Sequence, residues 1–250
     1  RNVKRGWRSI PRAFGGMGLL SFPVEQLICW INMLTQHFGV PTVLGNKCRA
    51  SLEALQLELG TNGNPLSLDY SVYECLATPC WFKVVWERLW FYRFDMHLDY
   101  PTIPFPRERD KLLVELFLAY GATGDRLQSL NRCRLALNML FLSDIVSANG
   151  RQLQRHLLNP LTSNPPTSIY SFPRECPNAS DWTEWAIFWG HYTEPGLYLR
   201  QPLGAWIASS HMAWQWFYNP ALDVVEHKEG STITSYVSSH ARRCTRGGQV

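Results

Sequence analysis

The chain has 250 residues, a formal net charge of +4, 46% hydrophobic and 18% charged residues, and seven cysteines. It is long enough to bury a sizeable core and too apolar and too poor in charge to be disordered throughout. An odd cysteine count without a small-scaffold rhythm excludes a disulfide-stapled secreted module and favours reduced thiols in an intracellular setting, cytoplasmic or nuclear. No apolar run reaches membrane-spanning length, so no membrane partner is expected and the protein should be soluble.

The first residue is Arg1, not Met, which reads as a piece of a longer translation product. Arg1, Lys4, Arg5, Arg8 and Arg12 crowd one end, and Arg242, Arg243 and Arg246 the other. Such ends neutralise phosphates, or are simply solvated tails. Ile10 to Leu19 holds glycines at 15, 16 and 18, yet it lacks the Lys-Ser/Thr of a phosphate-binding loop and the full dinucleotide pattern. A tight turn beside Phe14 and Leu19 is the better reading.

Pro23 opens a predicted helix to about His37, with Leu27, Ile28, Ile31 and Leu34 facing inward. A second runs from about Lys47 to Leu59 and stops at Gly60, followed by a loop over Thr61–Leu68. Thr78-Pro79 signals the start of a third helix, reaching about Phe94 with Phe82, Val85, Trp86, Leu89 and Trp90 on its apolar face. Asp95, His97 and Asp99 alternate and would share a face of a strand, the one pattern suggestive of metal ligands, but no fourth ligand accompanies them. Cys75 and Cys80 are spaced wrongly for zinc. No metal, cofactor or catalytic constellation is therefore assigned.

Prolines 101, 104 and 106 form an extended linker before a helix expected over Arg109–Tyr120. The next, from about Asp125, leads into Leu130–Leu153, which joins unlike halves of the chain. Its helical part carries Leu127, Leu130 and Leu137 on one stripe and Asn131, Arg134 and Asn138 on another. With Arg132, Arg151 and Arg155 nearby, the polar stripe can follow a nucleic-acid backbone, although Arg134 reads equally as a member of an internal ion pair. From Asn159 to Pro177 prolines and hydroxyl residues dominate and mark a linker or wrapping loop.

Asp181 and Glu184 have capping-box spacing for a short helix bearing Trp182, Trp185, Phe188 and Trp189. The sequon Asn178-Ala179-Ser180 has no secretory signal to give it meaning. Beyond Pro195-Gly196 come short runs at Leu203–Ile207, Trp214–Tyr218, Val224–Glu226 and Thr232–Val237, the last three separated by turn residues as in a small β-meander. The clustered Trp206, Trp214, Trp216, Phe217 and Tyr218 either stack bases or sugars or fill a meander core. The fold class is thus mainly α with a small C-terminal β-meander (α+β). It divides into a basic arm and Gly-rich turn (1–20), a helical body (21–155) and a Pro-broken, Trp-rich region (156–250).

The motifs IPRAFGGMGL (Ile10–Leu19), SLEALQLELG (Ser51–Gly60), LNRCRLALNMLFLSDI (Leu130–Ile145) and WQWFYNP (Trp214–Pro220) together carry a resemblance. The chain resembles the region downstream of the polymerase palm in reverse-transcriptase polyproteins of eukaryotic retrotransposons, especially the non-LTR kind. The palm of that family needs paired aspartates for two metal ions, and no Asp-Asp pair occurs here, so no catalytic residue carries over. The resemblance implies a parent RNA-directed DNA polymerase. To it this piece, itself no enzyme, would contribute a thumb-like or connecting grip on RNA or an RNA–DNA hybrid beside the missing polymerase portion. Arg5, Arg8, Arg12, Arg132, Arg134 and Arg151 are the expected contacts. Competing expectations are a protein–protein packing module without nucleic-acid affinity, a decayed element copy, and, weakest, a metal hydrolase built on Asp95, His97 and Asp99.

Overall fold

A computed structural model describes residues 12–14, 18, 21–96, 98, 102–158, 170 and 172–207, together with the backbone of 214–219, 224–229 and 232–237. Among these, seven α-helices and five short strands make a mainly helical protein with small antiparallel sheets toward its C-terminal side. Contacts divide the chain into two units, one of residues 1–53, 66–70 and 78–99 and another of 54–65, 71–77 and 100–250.

Helix α1 (Phe22–His37) begins where Pro23 can sit without wasting a backbone N–H. Leu27 and Leu34 are buried, whereas Ile28, expected inward, is exposed. Helix α2 (Val43–Leu59) starts four residues before the predicted Lys47 because the Thr42 hydroxyl accepts from Gly45 N at 3.0 Å and caps the first turn. Two short elements follow, the 3₁₀ turn Pro65–Ser67 and helix α3 (Tyr70–Tyr73). Helix α4 (Trp81–Tyr92) is capped by Cys80, whose Sγ accepts from Lys83 N, so the expected Thr78 cap lies too early. In the first unit Leu52, Phe82, Val85, Trp86 and Leu89 are buried, and Trp86 Nε1 donates to Leu68 O at 2.9 Å while its ring meets Tyr70 edge-on.

In the second unit, helix α5 (Leu113–Ala119) is shorter than the expected Arg109–Tyr120. Arg109 has φ of 61°, which ends any helix there, and the Asp110 carboxylate instead accepts from Lys111 N and Ser143 N. Leu112 then bridges Phe141 in an antiparallel pair. Helix α6 (Gly124–Ala136) closes with Asn138 in the left-handed region and Met139 N donating to Arg134 O. The Ser143-Asp144 segment forms a 3₁₀ turn in which the Asp144 carboxylate accepts from Leu140 N and Phe141 N.

Helix α7 (Ala179–Tyr192) starts one turn before the expected Asp181–Glu184 box. The reciprocal cap is Asn178 with Asp181: Asn178 Oδ1 accepts from Ser180 N and Asp181 N, and Asn178 N donates to Asp181 Oδ2. The sequon is therefore the local chemistry of a helix start. Strands β1 (Thr193–Glu194) and β2 (Tyr198–Leu199) form a hairpin, and Gln152 bridges Tyr198 from the other side.

The short run Leu203–Ile207 forms no strand of its own. Its backbone pairs with Pro106–Glu108 through a single bridge, Arg107 to Trp206, because prolines in the partner segment lack the N–H groups a longer ladder needs. Strands β3 (Trp214–Asn219), β4 (Val224–Glu229) and β5 (Thr232–Val237) form the expected antiparallel meander in sequence order.

Candidate nucleic-acid interface

The predicted contact residues fall into four different environments. Arg5 and Arg8 lie outside the described residues. Arg12 is exposed in a 3₁₀ turn, Arg12–Phe14. Arg151 is exposed at the start of the segment that bridges β2, where its carbonyl accepts from Leu199 N at 2.8 Å.

Arg132, 34% exposed, gives Asp181 two hydrogen bonds, from Nη2 to Oδ1 at 2.6 Å and from Nε to Oδ2 at 3.0 Å. The guanidinium is thereby held in its charged form, and the buried Asp181 carboxyl is drawn down to about 2 by Arg132 and by the Asn178 backbone.

Arg134 does not belong to the interface. It is 0% exposed, and its guanidinium donates to Asn131 Oδ1, Met139 O, Leu57 O and Glu58 O at 2.6 to 2.9 Å. A group with no solvent surface cannot reach a phosphate backbone. Burial lowers its pKa to about 9, partly opposed by Glu58, so it stays charged at neutral pH. Its work is to satisfy the last-turn carbonyls of α2, which have no partner within the helix. The internal role left open for Arg134 is realised mainly through carbonyls.

Asp95 is exposed, and His97 and Asp99 lie outside the described residues. Among the described residues no group of three or more His, Cys, Asp or Glu is placed to hold a metal ion. Among the described residues Cys29, Cys48, Cys75, Cys80, Cys133 and Cys176 are not joined in disulfides, and burial raises the pKa of Cys48 and Cys133. No helix among the described residues is long and apolar enough to cross a membrane.

Two surface features were not marked in the sequence reading. One is Tyr198, 49% exposed, paired across the bridge with Gln152 and so adjacent to Arg151. The other is an open cleft of about 280 Å³ lined by Leu116, Ala119, Tyr120, His191, Tyr192, Arg200 and Gln201. Its aromatic walls are held from behind. Phe188 meets Tyr120 edge-on at 5.3 Å and stacks on Tyr192 at 5.8 Å, while Arg126 donates to the Tyr120 hydroxyl and to Glu184. The i, i+4 pairs Trp185–Trp189 and Phe188–Tyr192 on α7 were the available signal, whereas nothing local to Arg200 announces its place.

Comparison of the chain with protein-family models, with curated proteins and with solved structures gives no match.

Proposed function

We propose that this chain is a non-catalytic segment of a reverse-transcriptase polyprotein that grips a template–primer duplex beside a polymerase palm. The motif resemblance suggests the parent enzyme, and one structural observation supports the grip. Arg151, Arg155 and the ring of Tyr198 are all exposed on or beside the backbone-bonded segments 151–155 and 197–199. Exposed cations neutralise phosphates and an exposed ring offers a stacking face, which together fit a sequence-independent hold on nucleic acid. Arg5, Arg8 and Arg12 are the further phosphate contacts that the resemblance implies. An intracellular setting, cytoplasmic or nuclear, belongs to the same proposal and is compatible with free thiols.

The test is binding of the purified chain to a short RNA–DNA hybrid across a salt series. The expected result is affinity that falls steeply as salt rises, with a log–log slope that shrinks by about 0.9 for each phosphate contact removed. Arg151→Ala should shrink the slope, and the triple change of Arg5, Arg8 and Arg12 to Ala should shrink it further. Absence of binding at low salt overturns the reading.

A second reading, a module that packs against another part of the polyprotein, is favoured by exposed apolar side chains of the first unit. Phe22 is 75% exposed, Val43 75% and Phe91 63%. It predicts self-association or capture of a polymerase portion without any affinity for the hybrid.

A further inference from the structure

The cleft beside the end of α7 differs in character from the basic surface at Arg151. It is small, and its walls are rings. We propose that it takes one unpaired nucleotide of a single strand, with the base chiefly on the His191 ring and a phosphate on Arg200; this rests on the nucleic-acid reading above.

Size argues first. About 280 Å³ is at the lower edge of the ~300 Å³ typical of small-molecule sites, room for one planar base with its sugar and far too little for a duplex.

Wall chemistry argues second. Tyr120 and His191 meet at 5.0 Å with their planes tilted by 46°, and Tyr192 is stacked on Phe188, so the rings stay in place without a ligand to hold them. Arg126 lies over the Tyr120 ring at 4.6 Å and Phe188 covers one face of Tyr192, so a base would stack chiefly on the exposed His191 ring, which accepts any base because every base offers a π-face.

Charge argues third. None of the described lining residues is acidic, and Arg200 is exposed with one long hydrogen bond, Nη2 to His191 O at 3.4 Å. A guanidinium carries five N–H donors in a planar fork suited to phosphate oxygens, so most of its donors remain for a ligand. Leu199, the neighbour of Arg200, donates its N–H to Arg151 O, so the two arginines sit on hydrogen-bonded stretches of backbone.

The experiment compares a blunt RNA–DNA hybrid with the same hybrid bearing a single-stranded overhang that contains 2-aminopurine, using the whole chain. Wild type should bind the overhang form about tenfold more tightly than the blunt form and quench the probe, as stacking of one base requires. His191→Ala and Arg200→Gln alter exposed side chains, and an unchanged circular dichroism spectrum verifies their folding. Each should bring the ratio of the two affinities toward one, and His191→Ala should restore much of the probe fluorescence. A wild-type ratio of one, or a ratio that both variants leave intact, overturns the cleft while the blunt affinity leaves the grip standing. Failure to bind either form at low salt overturns both.

Discussion

Arg132 Nη2 donates to Asp181 Oδ1 at 2.6 Å, tying helix α6 to the first turn of α7. The same carboxylate accepts the Asn178 N–H, so one buried group serves an ion pair and a helix cap together. Because the folded pKa lies near 2, below the ordinary carboxylate value, the contribution is present above pH 4 and is lost as pH falls toward 2. The shift corresponds to roughly 2 kcal/mol. Urea unfolding of wild type and Asp181→Asn should differ by about that amount at pH 7 and converge near pH 2. A constant difference across that range would contradict the assignment.

Arg134 carries the second expectation. Arg134→Lys keeps a charge but cannot span Asn131, Met139, Leu57 and Glu58 together, leaving buried carbonyls without donors. A loss of about 3–5 kcal/mol in unfolding free energy is expected. Binding of the folded fraction to an RNA–DNA hybrid should keep the wild-type salt slope. A reduced slope would return Arg134 to the interface.

Gly60 and Gly121 form a matched pair for backbone strain. Both adopt positive φ, 71° and 83°, but a Cβ on Gly60 would collide with Val114, whereas one on Gly121 meets nothing within 4 Å. Gly121→Ala should cost about 1 kcal/mol, the strain of a side chain in the left-handed region. Gly60→Ala should cost a further ~1–3 kcal/mol for overpacking, read from the midpoint of chemical denaturation. Equal losses would show that the second unit yields at Val114.

Arg107 supports a fourth prediction, for local rather than global stability. Its guanidinium lies 4.8 Å from the Trp206 ring centre and donates to Gly204 O and Ala148 O, fastening the 203–207 segment to the chain around 147–150. In Arg107→Lys the amides of Leu203, Gly204 and Ile207 should exchange with deuterium at least tenfold faster, while those of α6 keep their protection. Uniform acceleration across the second unit would mean that Arg107 supports the whole core.

Elements announced by their own neighbours were legible in the sequence. Pro23 started α1 and Gly60 ended α2, and three β-rich runs announced the meander, although Lys228 and Glu229, read there as turn residues, belong to β4. Features whose partners arrive from elsewhere were not. The stripe of Asn131 and Arg134 has the period of a solvated face, and only the carbonyls of Leu57 and Glu58, far off in sequence, turn it inward. The run Leu203–Ile207 has strand composition, but its neighbour is rich in proline and pairs once. The cleft joins the ends of α5 and α7 to Arg200, three places no local pattern connects.

The bonds from Arg134 to Leu57 and Glu58 span 77 and 76 residues. During synthesis the final turn of α2 therefore leaves the ribosome long before the side chain that completes it. At about 5–20 residues per second that interval lasts several seconds or more. Until then the carbonyls of Leu57 and Glu58 depend on water, and the closing of this turn is coupled to the folding of α6. The arginine thus sets an order of assembly, in which the last turn of α2 settles only after the middle of the chain has been made.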